Sequence, residues 1–283
     1  MSKSPSGHVL SFLATLVERF YQDQARSNTT PAATSPPASR QAPPQPAVIR
    51  QGIGAGLKFE ADNTNSSYVD GTYESPIQKA LVDYLKPGAI FYDIGASLGF
   101  FTLIAARLVE SSGQVYAFEP VPENAARIRR NAMLNDFAHV TVLEKAVAEA
   151  EGRGELLLAH HAGGATLAAA GTPPDLKGHL EVNLVSIDYL IASEQLRPPT
   201  LVKIDVEGAE IDVLRGMKQT LTAYKPILIY EIDDGDRTAF QRKSELVETF
   251  IRNCGYQILP LEKAYTTLSW HVGHGLALPI KHP

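Results

Sequence analysis

The sequence predicts an α/β fold built on a largely parallel sheet, and three observations carry that prediction. From about Val48 onward, short apolar runs suited to buried strands alternate with helical patterns. One run, Ala89–Asp93, passes straight into a glycine-bearing turn, Ile94–Gly99, and then into a helix through Phe101, Leu103, Ile104 and Leu108. Three other runs deliver a carboxylate at their ends, at Glu119, Asp205 and Glu231, where open α/β sheets gather the groups that meet ligands.

Composition bounds the rest. The 283 residues are 44% hydrophobic and 20% charged, as expected of a globular chain of one or two domains. Lys and Arg number 26 against 31 Asp and Glu, a formal charge of -5, which lacks the basic stripe that nucleic-acid binding needs. A single cysteine, Cys254, excludes an intramolecular disulfide framework and a cysteine-based zinc site. No uninterrupted apolar run approaches the roughly 18–20 residues that cross a bilayer, so a soluble cytoplasmic protein without a transmembrane segment is expected.

At the N-terminus, Val9, Leu10, Phe12, Leu13, Leu16, Val17 and Phe20 recur at helical spacing, predicting an amphipathic helix within residues 1–26. A secretory signal fits less well, because Lys3 is the only basic residue before the apolar run and no small-residue cleavage site follows. A docking or oligomerisation helix is the expectation. Residues 27–47 hold six prolines, one charge and no aromatic side chain, the pattern of a disordered linker. The folded domain is then expected to span residues 48–283.

Within that domain, the first strand and its turn read Phe91-Tyr92-Asp93-Ile94-Gly95-Ala96-Ser97, with Gly99 and Phe100 opening the helix. The second strand, Val115–Phe118, ends at Glu119-Pro120, with Glu119 placed 24 residues after Gly95. A helix through Ala125, Ile128 and Met133 leads to a third strand, Val140–Glu144, followed by Lys145-Ala146-Val147. Two further apolar stretches, residues 154–159 and 180–185, predict a hairpin inserted before the fourth strand, around a loop carrying His160, His161, Gly163 and Gly164. Ser186 is a natural N-cap for the helix that follows. The fourth strand, residues 201–204, delivers Asp205 and Glu207 to its carboxyl end; the fifth, residues 226–230, delivers Glu231. A helix over about 238–253 and strands near 256–259 and 267–271 complete the sheet, with Trp270 and His271 expected to close the last strand.

The turn lacks the G-x-G of a dinucleotide site. Its Asp93-x-Gly95-x-x-x-Gly99 pattern, with the placed acid Glu119, resembles the first two motifs of class I S-adenosylmethionine (SAM) methyltransferases. Together with Lys203-Ile204-Asp205-Val206-Glu207-Gly208-Ala209-Glu210, these segments resemble the FkbM family of SAM-dependent methyltransferases over roughly Gly71 to Asp233. Ser97 stands where that family more often has Asn.

The resemblance implies a Rossmann-like fold with seven mostly parallel strands in the order 3-2-1-4-5-7-6, the seventh antiparallel. It implies SAM as cofactor, bound by Asp93, Gly95, Ala96, Ser97, Gly99 and Phe100 of the turn, by Glu119 and Pro120 at the ribose, by Ala146 at the adenine, and by Tyr73, Glu74 and Asp205. The implied reaction is O-methylation of a sugar or secondary metabolite. A hydroxyl is a weak nucleophile, so a general base is expected; Asp205 and Glu207 lead, Glu231 follows, and His160 or His161 are mobile alternatives. The purely structural alternative for these groups includes a buried ion pair of Lys203 with Glu231. A divalent ion on Asp205, Glu207 and Glu231 would suit hard oxygen ligands, but no histidine stands at a fixed ligand spacing, so metal-free catalysis is preferred and no metal ligand is assigned. The competing functions are a SAM-binding scaffold without catalysis and a methyltransferase acting on a non-hydroxyl acceptor.

Overall fold

The computed structural model describes residues 46–61, 65–159, 165–168, 176–265 and 270–280. The expected helix over 1–26 and all but the last two residues of the linker lie outside these, as does the loop with His160 and His161.

A short antiparallel ribbon, β1 (Ala47–Val48) with β2 (Lys58–Phe59), opens the domain and is followed by helices α1 (Ser67–Asp70) and α2 (Ser75–Tyr84). The parallel strands are β3 (Ile90–Ile94), β4 (Gln114–Phe118), β5 (Val140–Leu143), β10 (Leu201–Ile204) and β11 (Ile227–Asp234). With β12 (Tyr256–Pro260) and β13 (His271–Pro279) they form one sheet, ordered β5-β4-β3-β10-β11-β13-β12, in which β13 runs antiparallel to both neighbours. This is the order and polarity that the family resemblance implies. Helices α3 (Phe100–Val109), α4 (Pro122–Leu134), α6 (Glu210–Gly216), α7 (Lys218–Ala223) and α8 (Arg237–Asn253) flank it.

Alternation along the strands builds a core on each face. Tyr92, Val202 and Leu228 point into one cluster, while Phe91, Leu201 and Ile229 point into the other. Strands buried on both faces read as continuous apolar runs, which is why β3, β10 and β11 were legible.

Between β5 and β10 the predicted hairpin is present as β7 (Gly152–Ala159) paired with β9 (Leu176–Val185). It is larger than expected: β6 (Ala146–Val147) runs parallel to β9 and β8 (Ala165–Leu167) joins β7, giving a four-stranded sheet. Ala146, Leu156 and Val182 bury their side of it against Ala209. The next helix, α5 (Ile187–Ala192), starts as expected, with the Ser186 hydroxyl accepting the Tyr189 N–H at 3.2 Å.

The last strand corrects the sequence reading. It covers 271–279 rather than 267–271, so His271 opens it and Trp270 precedes it instead of the two closing it. Gly273 and Gly275 disguised it, since glycine ordinarily weakens a strand. Here both make room for rings: a Cβ on Gly275 would lie 2.2 Å from the Tyr230 ring, and one on Gly273 would lie 3.0 Å from Phe240.

Asn131 of α4 ties this framework to the turn after β3. Fully buried, it accepts the Glu60 N–H at 2.8 Å and donates to the Leu98 carbonyl at 3.2 Å. Asn131→Ala strands both backbone groups and should destabilise the fold by about 1–3 kcal/mol, read as a lowered urea midpoint; an unchanged midpoint would contradict the tie.

Candidate active site

The site lies at the carboxyl ends of β3, β4 and β10, beside the point where strand order reverses, the usual ligand position in an open α/β sheet. A solvent-open cleft lies there. Gly95, Ala96, Ser97, Phe100, Glu119, Pro120, Ala146, Asp205, Glu207 and Tyr73 all line it, so most of the sequence-predicted residues converge.

Four predicted residues lie elsewhere. Asp93 is wholly buried beneath the cleft. Glu74 and Glu231 line a second, smaller cavity with His274, and Asp205 and Lys203 border both spaces. Gly99 shapes the turn as the N-cap residue of α3.

The turn is held from below. Gly95 has φ +78, and a Cβ there would stand 1.7 Å from the Asp205 carbonyl oxygen, so only glycine lets β3's exit cross the end of β10. Ser97 follows with φ +50. Its N–H donates to Glu119 Oε2 at 2.8 Å, and the Val121 N–H donates to Oε1 at 2.9 Å. The Glu119 carboxylate thus bridges two loops, takes a further hydrogen bond from the Asn124 side chain, and keeps acceptor capacity for a ligand hydroxyl. Burial pushes its pKa up to about 7 against the pull of those donors.

Beneath the cleft, Lys203 Nζ lies 3.0 Å from Asp205 Oδ2, 3.6 Å from Asp93 Oδ1 and 5.2 Å from the centre of the Phe101 ring. Thr102 donates to Asp93 Oδ2 at 2.6 Å. Burial works against the ammonium, but Asp205, Asp93 and Glu74 hold its pKa above the usual lysine range. The alternative Lys203–Glu231 pair is therefore replaced by pairs with Asp205 and Asp93, because β10 sets Lys203 directly beside Asp93 of β3.

Glu231 instead faces His274, its partner across the β11–β13 ladder, with Oε2 and Nε2 2.5 Å apart. His274 was missed because its strand was placed too early in the sequence. Burial pushes Glu231 up and His274 down. Glu207, at φ +52, is raised well above the carboxylate range by burial and then by Asp233, Asp205 and Glu231.

A family model described as the methyltransferase FkbM domain matches residues 93–258. The chain belongs to the FkbM methyltransferase domain family. Among FkbM-type relatives, it is 26% identical over 157 residues to the hexuronic acid methyltransferase AglP of Haloferax volcanii, covering 55% of this chain and 61% of that one. It is 29% identical over 178 residues to the 31-O-demethyl-FK506 methyltransferase FkbM of Streptomyces tacrolimicus, covering 54% and 68%. The 2-O-methyltransferase NoeI of Sinorhizobium fredii is 30% identical over 160 residues, covering 52% and 65%. The chain therefore spans about two thirds of the length of these FkbM relatives or slightly less. Among the described residues, no helix is long and apolar enough to cross a membrane.

The buried acids of this FkbM domain give a pH prediction. Glu74, Asp93, Glu119, Glu207, Glu210, Glu231 and Asp233 all hold their protons more tightly folded than unfolded, chiefly through burial. The stability this contributes is complete below the ordinary carboxylate pKa and is lost as pH rises through the folded values, near 7 for Glu119 and Glu210. Calorimetry of the ligand-free protein should show the unfolding midpoint falling between about pH 5 and 8, with a shallower fall in Glu119→Gln.

Proposed function

We propose that this FkbM-family chain is a SAM-dependent O-methyltransferase acting on a hydroxyl of a sugar or secondary metabolite. The observation that carries the reading is the Glu119 carboxylate, fixed by the Ser97 and Val121 N–H groups at the end of β4 and facing the glycine turn. A ribose diol suits its remaining lone pairs. A cofactor without phosphate suits a cleft lined, among the described residues, by two cations, Lys145 and Lys203, the second of which is committed to Asp205 and Asp93. The names of the FkbM and NoeI relatives, which specify a 31-O and a 2-O position, support an oxygen acceptor, and that of AglP, a hexuronic acid methyltransferase, a sugar-derived one.

When bound, SAM supplies an electrophilic methyl group on a sulfonium. The chain's own residues do the rest. The turn from Gly95 to Ser97 and Glu119 hold one partner, with Tyr73, Phe100 and Phe101 supplying an aromatic wall that excludes water. Fixing both partners in line contributes about 7–11 kcal/mol to such a displacement. Glu207 is the general base: it lines the cleft, and its raised pKa brings it towards the range in which a carboxylate accepts a hydroxyl proton effectively. Asp205, oriented by Lys203, positions the acceptor or the cofactor beside it.

Titration calorimetry and a labelled-SAM assay against candidate acceptors test these roles separately. Glu119→Ala should weaken SAM binding about 10- to 100-fold, whereas Glu207→Gln should leave binding within a few-fold and lower turnover roughly 10²- to 10⁴-fold. The acid limb of the kcat/KM profile should sit above the ordinary glutamate pKa, because Glu207 works only when deprotonated. Absence of micromolar SAM binding in the unaltered protein removes the cofactor reading; full turnover in Glu207→Gln removes the base assignment.

A further inference from the structure

The second cavity has the chemistry of an ion site. Its polar groups come from three elements far apart in sequence: Glu74 from the N-cap of α2, Glu231 from β11 and His274 from β13. His274 Nε2 lies 2.5 Å from Glu231 Oε2 and 3.9 Å from Glu74 Oε2, and one donor atom from each residue falls within 4.8 Å of the others. The His274 side chain is 2% exposed, yet among the described residues neither its Nε2 nor Glu231 Oε2 has a hydrogen-bond partner of proper alignment. Buried polar atoms are normally satisfied, so two orphans facing one another point to a missing third party.

The surroundings sharpen this. Ile77 and Ile229 wall the cavity with apolar surface, while Lys203, the nearest cation, is already held by Asp205 and Asp93. Among the described residues, the two buried carboxylates therefore form no direct ion pair with a lysine or arginine. The Tyr265 hydroxyl donates to the other Glu74 oxygen, Oε1, at 2.5 Å, the kind of outer contact that orients a ligating carboxylate. We propose that Glu74, Glu231 and His274 bind one divalent transition-metal ion through His274 Nε2 and one oxygen of each carboxylate.

One nitrogen and two carboxylates, with no thiolate, suit zinc or manganese, and three protein ligands leave a coordination position open. Ligands of a tetrahedral ion at about 2.0–2.2 Å stand about 3.3 Å apart, so binding moves His274 Nε2 and Glu231 Oε2 slightly apart and relieves their close contact. Asp205 borders both cavities, which places the ion one side chain away from the cleft. There it can lower the pKa of a nearby hydroxyl. That consequence rests on the function proposed above, whereas the site itself does not.

The test uses the full chain, stripped with a chelator and titrated with zinc and with cobalt(II). Uptake of one equivalent, with cobalt d–d absorption and no thiolate charge-transfer band, is the expected result. His274→Ala and Glu231→Gln should each weaken binding by more than the roughly 10- to 100-fold that losing an outer partner costs. His179→Ala, which breaks the exposed pair with Glu155, should change nothing. X-ray absorption of the zinc-loaded unaltered protein should show one imidazole among oxygen donors, and reads the ligands even if a variant fails to fold. No saturable uptake would overturn the site, leaving a shared proton between Glu231 and His274 as the explanation; an equivalent retained by both variants, or a spectrum without imidazole, would overturn it too. SAM titration of the stripped protein reports on the proposed function independently, so failure of one reading is separable from failure of the other.

Discussion

The buried ammonium of Lys203 between Asp93 and Asp205 is the constraint on which the rest of the site depends. Parallel pairing of β3 with β10 sets Lys203 beside Asp93 in register, and the chain then delivers Asp205 two residues later. A buried charge is tolerable only when paired and hydrogen-bonded, and this one also lies over the Phe101 ring while Thr102 holds the far side of Asp93. Both aromatic ring and hydroxyl come from the first turn of α3. One ion-pair cluster therefore fixes two strand ends and the helix start relative to each other. Gly95 crosses the Asp205 carbonyl in the space that remains.

Around that cluster the fold stores costs. Glu74, Ser97 and Glu207 all have positive φ, at 43°, 50° and 52°, and all three stand in or beside the two cavities. Buried acids with raised pKa values concentrate in the same place. Strain and crowded charge of this kind weaken a ligand-free fold, and they persist where the surrounding core over-determines the backbone. Here the apolar layers on both faces of the sheet provide that support, with Tyr92, Phe91, Val202 and Ile229 almost completely inaccessible.

The parts that were legible and those that were not divide along one line. Strands β3, β4, β10 and β11 announce themselves because burial on both faces demands an uninterrupted apolar run, and Glu119 and Asp205 are read directly as the residues that follow β4 and β10; β11 instead runs on to Asp234 through its pairing with β13, so Glu231 lies inside it and not at its end. The helix cap at Ser186 and the turn at Gly95 are equally local. By contrast, β13 carries glycines whose purpose is to accept Tyr230 and Phe240 from other elements, so nothing within its own sequence marks it as a strand. Misplacing it hid His274. The insertion was underestimated for a related reason: β6 is two residues long and exists only because β9 lies beside it.

By itself the sequence determined the glycine turn, the acid at the end of β4 and the resemblance to the family, since each depends on residue types at short spacing; the strand order followed only from that resemblance. Tertiary structure alone decided which charges meet. Asp205 follows the last residue of β10 and Glu231 takes the corresponding position inside the longer β11, yet one pairs with Lys203 and the other with His274, and Glu74 joins the second group from a helix 157 positions before Glu231 in the numbering. Electrostatic partnership depends on distances of a few ångströms across a sheet, and strand register and side-chain direction, rather than separation along the chain, set those distances.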